Sequence, residues 1–361
     1  MRRIPSSLAV AIPSRSNTLN VLETILIGTG GGLLFLLAHL PGGLISGAMI
    51  TVGIAAISGR PMTLPPIVTQ TVLVLLGISL GSLASRQLLQ HVSAYPLTIG
   101  LLALATFCST FGSSLYLQRV HGWERTSAFL AGSPGALSQI IILAAEKGAD
   151  VPAIAVVQTL RVIVLTAALP LLLTLTGLAP ASLPAPAVAI ATPLEFASLI
   201  AAALSAAMLL RLVKFPASWM FGAMIGSIVL HGSGLVEGGL PPSVRGVALV
   251  GIGALIGTRF ARMKTRTLLG HLNAALGSFV VAIIISALFV AVIALTTAVR
   301  LADIMVAFAP GAMDAMLALA LTLHIDPIFV GAHHLSRFVF VTLAMPGIVH
   351  LFGRPQEDVD D

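Results

Sequence analysis

Leu40-Pro41-Gly42-Gly43-Leu44-Ile45-Ser46-Gly47-Ala48-Met49-Ile50 returns in the second half of the chain as Phe215-Pro216-Ala217-Ser218-Trp219-Met220-Phe221-Gly222-Ala223-Met224-Ile225. Working outward from this pair, Leu64-Pro65-Pro66 returns as Leu240-Pro241-Pro242, and Gly77-x-x-x-Gly81 as Gly253-x-x-x-Gly257. Pro134-Gly135-Ala136 returns as Pro310-Gly311-Ala312, while Asp150, Arg161 and Pro170 return as Asp326, Arg337 and Pro346. The offset is 175 to 176 residues throughout. Self-similarity at one fixed period marks a repeat architecture, so the sequence reads as a duplication.

Composition says where the duplicated unit lives. Of 361 residues 57% are hydrophobic and 9% charged, against about 25% charged in a soluble domain. Four of the 13 acids, Glu357, Asp358, Asp360 and Asp361, stand in the last five residues. What remains cannot cover a globular surface, which excludes a soluble enzyme, a disordered chain and a disulfide scaffold and leaves an all-α polytopic membrane protein. Cys108 is the single cysteine, so cysteine-based metal centres are not expected. Arg2, Arg3 and Arg15 flank only a short apolar run, so no cleavable signal peptide is expected.

Apolar runs occur at about residues 21–39, 42–58, 66–84, 95–118, 126–146 and 152–176, then at 195–212, 216–232, 243–260, 272–297, 301–323 and 328–352. This divides the chain into an N-terminal tail (1–20), a first membrane repeat (21–176), a linker (177–193), a second repeat (194–352) and an acidic tail (353–361). If all twelve runs cross, nine Lys and Arg fall inside and eight outside, which is no bias. If the fifth run of each half, the one broken by Pro-Gly-Ala, returns on its own side, 14 fall inside and only Arg86, Arg245 and Arg300 outside. The positive-inside rule therefore favours five crossings per half plus one re-entrant or discontinuous segment. An odd count makes the halves inverted repeats, with both termini cytoplasmic in a bacterial-type inner membrane.

Pro and Gly inside an apolar helix free backbone groups that lipid cannot satisfy. Two such breaks at matched positions of inverted halves point to a midplane binding site. Around them stand the candidate residues. Ser133, Pro134, Gly135, Gln139 and Gln158 belong to the first half, Pro310 and Gly311 to the second. Arg161 and Arg337 stand about ten residues into the sixth runs, roughly 15 Å deep at 1.5 Å per residue. Intramembrane guanidiniums are costly unless paired. They read either as holders of an anionic group or as members of an internal ion pair or carbonyl-capping struts that fix the hairpin. Asp314 has Ser138 as its counterpart, so the scaffold does not demand a carboxylate there; it reads as a proton or sodium site, or as an acid at a helix N-terminus. His333 and His334 share the face of Arg337 and are candidates for proton transfer. They point about 100° apart on a helix, which argues against one shared metal. Tyr95, Trp123 and Trp219, near run ends, read as interfacial anchors.

The Pro-Gly-Gly-Leu-Ile-Ser-Gly-Ala-Met opening, its Phe-Pro-Ala-Ser-Trp-Met-Phe-Gly-Ala-Met echo and the two Pro-Gly-Ala breaks resemble the duplicated membrane proteins of the AbrB family, over about residues 22 to 352. That family is often labelled an ammonia monooxygenase or a regulator. In architecture it is similar to inverted-repeat transporters of the cation/proton antiporter and anion transporter type. The resemblance implies no substrate.

A secondary transporter of a small solute, an organic anion coupled to protons or sodium, is the function these readings favour. The alternatives are a membrane sensor that affects expression indirectly and, further off, a metal-dependent monooxygenase. The expected partners are the solute and membrane lipid, with a homodimer left open and nucleic acid excluded. No cofactor and no metal are expected. Purified protein should accordingly carry no stoichiometric copper, iron or zinc by elemental analysis; metal retained by the wild type and lost on replacing His333 and His334 would overturn this.

Overall fold

The computed structural model describes residues 15–83, 95–178, 189–263 and 265–352. The acidic tail, most of the linker and most of the N-terminal tail lie outside the described residues, and so do both termini whose sidedness the charge count addresses. Among the described residues the chain is helical, apart from an isolated bridge between Ile190 and Gly239.

In the first half α1 (Arg15–Leu37), α2 (Gly43–Ile57), α3 (Pro66–Gly81) and α4 (Tyr95–His121) lead to the short α5 (Arg125–Gly132) and α6 (Leu137–Glu146), followed by α7 (Val151–Leu175). In the second half α8 (Pro193–Leu212), α9 (Ser218–Gly232), α10 (Pro242–Gly257) and α11 (Thr265–Thr296) lead to α12 (Leu301–Phe308) and α13 (Met313–Thr322), followed by α14 (Pro327–Phe352). A 3-10 turn, Thr258–Arg262, leaves α10. Seven helices are long and apolar enough to cross a membrane, and α2, α3, α6, α9 and α13 are shorter apolar helices. The chain is an all-α polytopic membrane protein. The fifth runs of both halves are broken at Pro-Gly-Ala, each into an 8-residue and a 10-residue helix.

Helix starts follow local chemistry. Proline at the first turn, where its missing N–H costs nothing, opens α3, α7, α8 and α10. Glu124 accepts hydrogen bonds from the backbone N–H groups of Thr126 and Ser127 at the start of α5. Burial would raise its carboxyl, but these donors outweigh burial and hold it below its ordinary value. Asp150 accepts from Ala153 at α7, and Asp326 accepts from Ile328 and Phe329 at α14. The apolar run expected from residue 272 is part of a helix that begins at Thr265, because its first two turns are polar and carry the helix beyond the apolar stretch.

Glycines bring the two halves together. A β-carbon on Gly77 would strike the Met220 carbonyl oxygen, and one on Gly81 would lie 2.5 Å from that of Met224. Reciprocally, a β-carbon on Gly253 would strike the Ile45 carbonyl oxygen, and one on Gly257 would lie 2.7 Å from that of Met49. Helix α3 thus seats on α9 as α10 seats on α2, through backbone contacts that only glycine permits. Gly77→Ala and Gly253→Ala should each destabilise detergent-purified protein by about 1–3 kcal/mol, the usual cost of overpacking. Gly100→Ala, whose added carbon meets nothing within 4 Å, should leave the melting temperature near wild type.

Candidate functional site

Each broken run is a hairpin held against the helix that follows it. In the first half the Asp150 N–H donates to Ser127 Oγ, so the starts of α5 and α7 lie side by side. Further in, Gln158 Nε2 donates to the Leu130 carbonyl at 3.0 Å. Beyond it Arg161 donates from Nη2 to Ala131 at 3.1 Å and from Nη1 to Ser133 at 3.2 Å. Helix α5 therefore runs alongside the first third of α7, about 12 Å for eight residues. Helix α6 then returns, reaching the start of α7 through four residues. This is a helical hairpin, and its 12 Å limb is shorter than half of a hydrocarbon core about 30 Å thick.

The second half repeats this network bond for bond. The Asp326 N–H donates to Asp303 Oδ1, His334 Nε2 donates to the Val306 carbonyl at 3.1 Å, and Arg337 donates to Ala307 at 2.9 Å and Ala309 at 2.5 Å. Every partner sits 176 residues from its counterpart. The carbonyls that Arg161 and Arg337 cap close α5 and α12, where a helix leaves its last C=O groups unpaired and carries partial negative charge. The strut reading of the two arginines thus has direct geometric support: the Nη atoms of both forks face the hairpins. The Nε atom of each guanidinium is buried with no hydrogen-bond partner among the described residues. Both residues are almost fully buried, at 2% and 3% exposure, and neither is in an ion pair among the described residues.

The two breaks meet around a cavity of about 260 Å³. The first break supplies Gly135 through Gln139 and the second Pro310 through Asp314; α7 adds Gln158 and Arg161, α14 adds His334, Arg337 and Phe338, and the turn after α10 adds Arg259. Gly135, with φ of +87°, stands over the Arg337 stem, 4.0 Å from where its β-carbon would be to Cδ. The N-caps Ala136 and Ala312 carry no capping side chain, and both following first turns line the cavity. Uncapped helix N-termini expose N–H groups and positive dipole character, suited to an anion. Asp314 at the second N-terminus pairs with Arg259 at 3.5 Å, both about a quarter exposed.

Not every candidate residue reaches this cavity. His333 turns away: its Nδ1 lies 2.7 Å from the Phe329 carbonyl and its Nε2 2.8 Å from Thr98 Oγ1, among the rings of Tyr95, Phe308 and Phe329. Ser133 contributes its carbonyl to Arg161 and buries its hydroxyl without a partner. Pro134 lines only a small void of about 10 Å³ behind the breaks, shared with Pro310 and Arg337. Tyr95, expected as an interfacial anchor, is 8% exposed and packs edge-on to Phe329, because α4 buries its first turn against α14. Arg259 is the residue that the sequence reading missed. Its matched position is Leu83, so it breaks the duplication as Asp314 does, and that shared asymmetry was the available signal.

Removing either strut should loosen its hairpin. Arg161→Gln and Arg337→Gln should each lower the stability of purified protein by about 1.5–3 kcal/mol per charged hydrogen bond lost, read as a fall in melting temperature, while Ser138→Ala at the same cavity should change it little.

Two comparisons bear on this arrangement. The family described as "Transition state regulatory protein AbrB" matches residues 44–353. The chain is also similar to a protein of Bacillus subtilis (strain 168) named "Uncharacterized protein YhjN", with 27% identity over 298 residues, 77% of this chain and 76% of that one.

Proposed function

The chain belongs to the AbrB family, and from that premise and the hairpin geometry we propose that it is a secondary transporter of a small organic anion, built from two inverted repeats in a bacterial-type inner membrane, with a proton or sodium ion coupled at Asp314. One observation carries the reading. Two helical hairpins bring their breaks together around a cavity of about 260 Å³ lined by two buried arginines that have no ion-pair partner among the described residues and by the first turns of two uncapped helices. Broken helices meeting at a repeat interface are how transporters build a site within the bilayer. Counted as segments that do not cross, the two hairpins would leave five apolar runs per half, the odd number that an inverted relation requires, and the reciprocal glycine contacts between α3 and α9 and between α10 and α2 fit a two-fold relation of the halves.

The hairpins differ in a way that suits alternating access. Seven of the ten residues of α13 are buried, whereas in α6 only Ile140 and Ala144 are. The rim of the cavity, with exposed Gln139 and partly exposed Arg259, lies on the side of α6. That side is cytoplasmic by the charge count, so the arrangement corresponds to an inward-open state with α13 as the closed gate.

The family description favours a second reading, a regulator acting on gene expression. Its cytoplasmic basic segment runs only from Arg259 to Arg266, too short for a DNA-binding domain, and altered metabolite levels explain a regulatory effect more simply. The oxygenase reading lacks a donor set: among the described residues no three His, Cys, Asp or Glu side chains converge as metal ligands would.

Proteoliposomes test the proposal. A panel of organic acids and amino acids, offered under proton and sodium gradients and in counterflow, should reveal solute-dependent flux, and Asp314→Asn should abolish gradient-driven uptake while sparing exchange. Absence of flux for every solute in every gradient would remove the transport reading.

A further inference from the structure

The charges around the cavity count to a definite sum. Three guanidiniums, Arg161, Arg259 and Arg337, face one carboxylate, Asp314, so with His334 neutral two positive charges remain. The helix ends do not alter this. The C-termini of α5 and α12 carry partial negative charge and the N-termini of α6 and α13 partial positive charge, and the four cancel. While Asp314 is ionised and paired with Arg259, Arg161 and Arg337 are left without a counter-charge. The Nε of each is buried with no hydrogen-bond partner among the described residues.

Two uncompensated buried charges of one sign are costly, and an unsatisfied charged donor adds to that cost. A bound anion supplies the missing counter-charge. A single negative charge would leave one guanidinium unbalanced, and three would leave an excess of negative charge in a region of low dielectric. We propose that the site is selective for a small oxyanion carrying two negative charges, with the Asp314–Arg259 pair setting that valence by holding one guanidinium out of the count. The inference deepens the proposed transport site and rests on that reading for its use in the cell. The binding preference can be measured without transport.

Wild-type protein purified in detergent would be heated with succinate, butyrate, citrate or sulfate, at a pH well above the acids' own carboxyl pKa values and at constant ionic strength. A ligand that binds only the folded state raises the melting temperature according to its concentration over Kd. Succinate or sulfate should protect at a concentration lower by about tenfold or more than butyrate, as one additional charge pair in a partly buried site implies. Protection by succinate but not sulfate assigns the site to dicarboxylates. The reverse assigns it to a compact inorganic dianion, and both keep the charge rule.

Two substitutions then move the count in opposite directions. Asp314→Asn leaves three guanidiniums and should shift preference toward citrate. Arg259→Gln leaves a net single charge and should close the gap between butyrate and succinate. A merely structural role for the pair would change stability but not the order of ligands. Equal protection by butyrate and succinate in the wild type, no protection by any of the four, or an unchanged ligand order in both variants would overturn the proposal. Succinate protection without flux would keep it and remove the transport reading, whereas flux confined to a monoanion would do the opposite.

Discussion

A helix that stops halfway into a hydrocarbon slab leaves carbonyls that lipid cannot satisfy, and this constraint organises the centre of the protein. Ser133 and Ala309 end their helices in extended conformations at such a point. The donors come from one residue on the following helix, Arg161 or Arg337, supported one turn earlier by Gln158 or His334. Without those donors the breaks would expose unpaired C=O groups at a cost of several kcal/mol each. With them, α5 is fixed to α7 and α12 to α14. The duplication preserves the whole ladder because removing any rung strands a polar group.

Symmetry ends where the ladder does. Gln158 and His334 differ in type yet donate to matched carbonyls, so the imidazole has a structural task that an amide performs equally well in the first half. Asp314 and Arg259 have no such equivalents: Ser138 and Leu83 stand in their places. The scaffold therefore does not need the pair, and what the pair changes is the charge and polarity of the cavity wall.

How much of this was legible in the sequence follows from where each signal resides. The twelve runs and both breaks were legible because Pro, Gly and hydrophobic periodicity act locally. The hairpin returns were legible only through charge counting, since lysine and arginine report sidedness over loops rather than at single residues. The targets of Arg161 and Arg337 were legible only as alternatives, because a backbone carbonyl has no sequence signature and an anion holder and a carbonyl strut look the same in letters. His333 and His334 separated as their 100° angular difference required, although the sequence did not say which one faces the cavity. Arg259 was absorbed into the basic loop count, 55 residues from its partner Asp314, and only comparison with Leu83 distinguishes it from a topological charge. Tyr95 misled because an aromatic residue at a run end fits an interface as well as a packed helix start.

The struts also decide which part of the centre is free to move. Helices α5 and α12 are pinned by charged hydrogen bonds to α7 and α14, so neither can shift without breaking two or three buried bonds at once. Among the described residues α6 carries no comparable tie, and α13 carries only the Asp314–Arg259 pair. Helix α13 is held instead by apolar burial along residues 315 to 321, while α6 presents most of its length to its surroundings. The turn that joins α5 to α6 is Pro134-Gly135-Ala136, where Gly135 and Ala136 occupy positive φ and a β-carbon on Gly135 would come 4.0 Å from Arg337 Cδ. The first half's break and the second half's guanidinium therefore share one cavity wall.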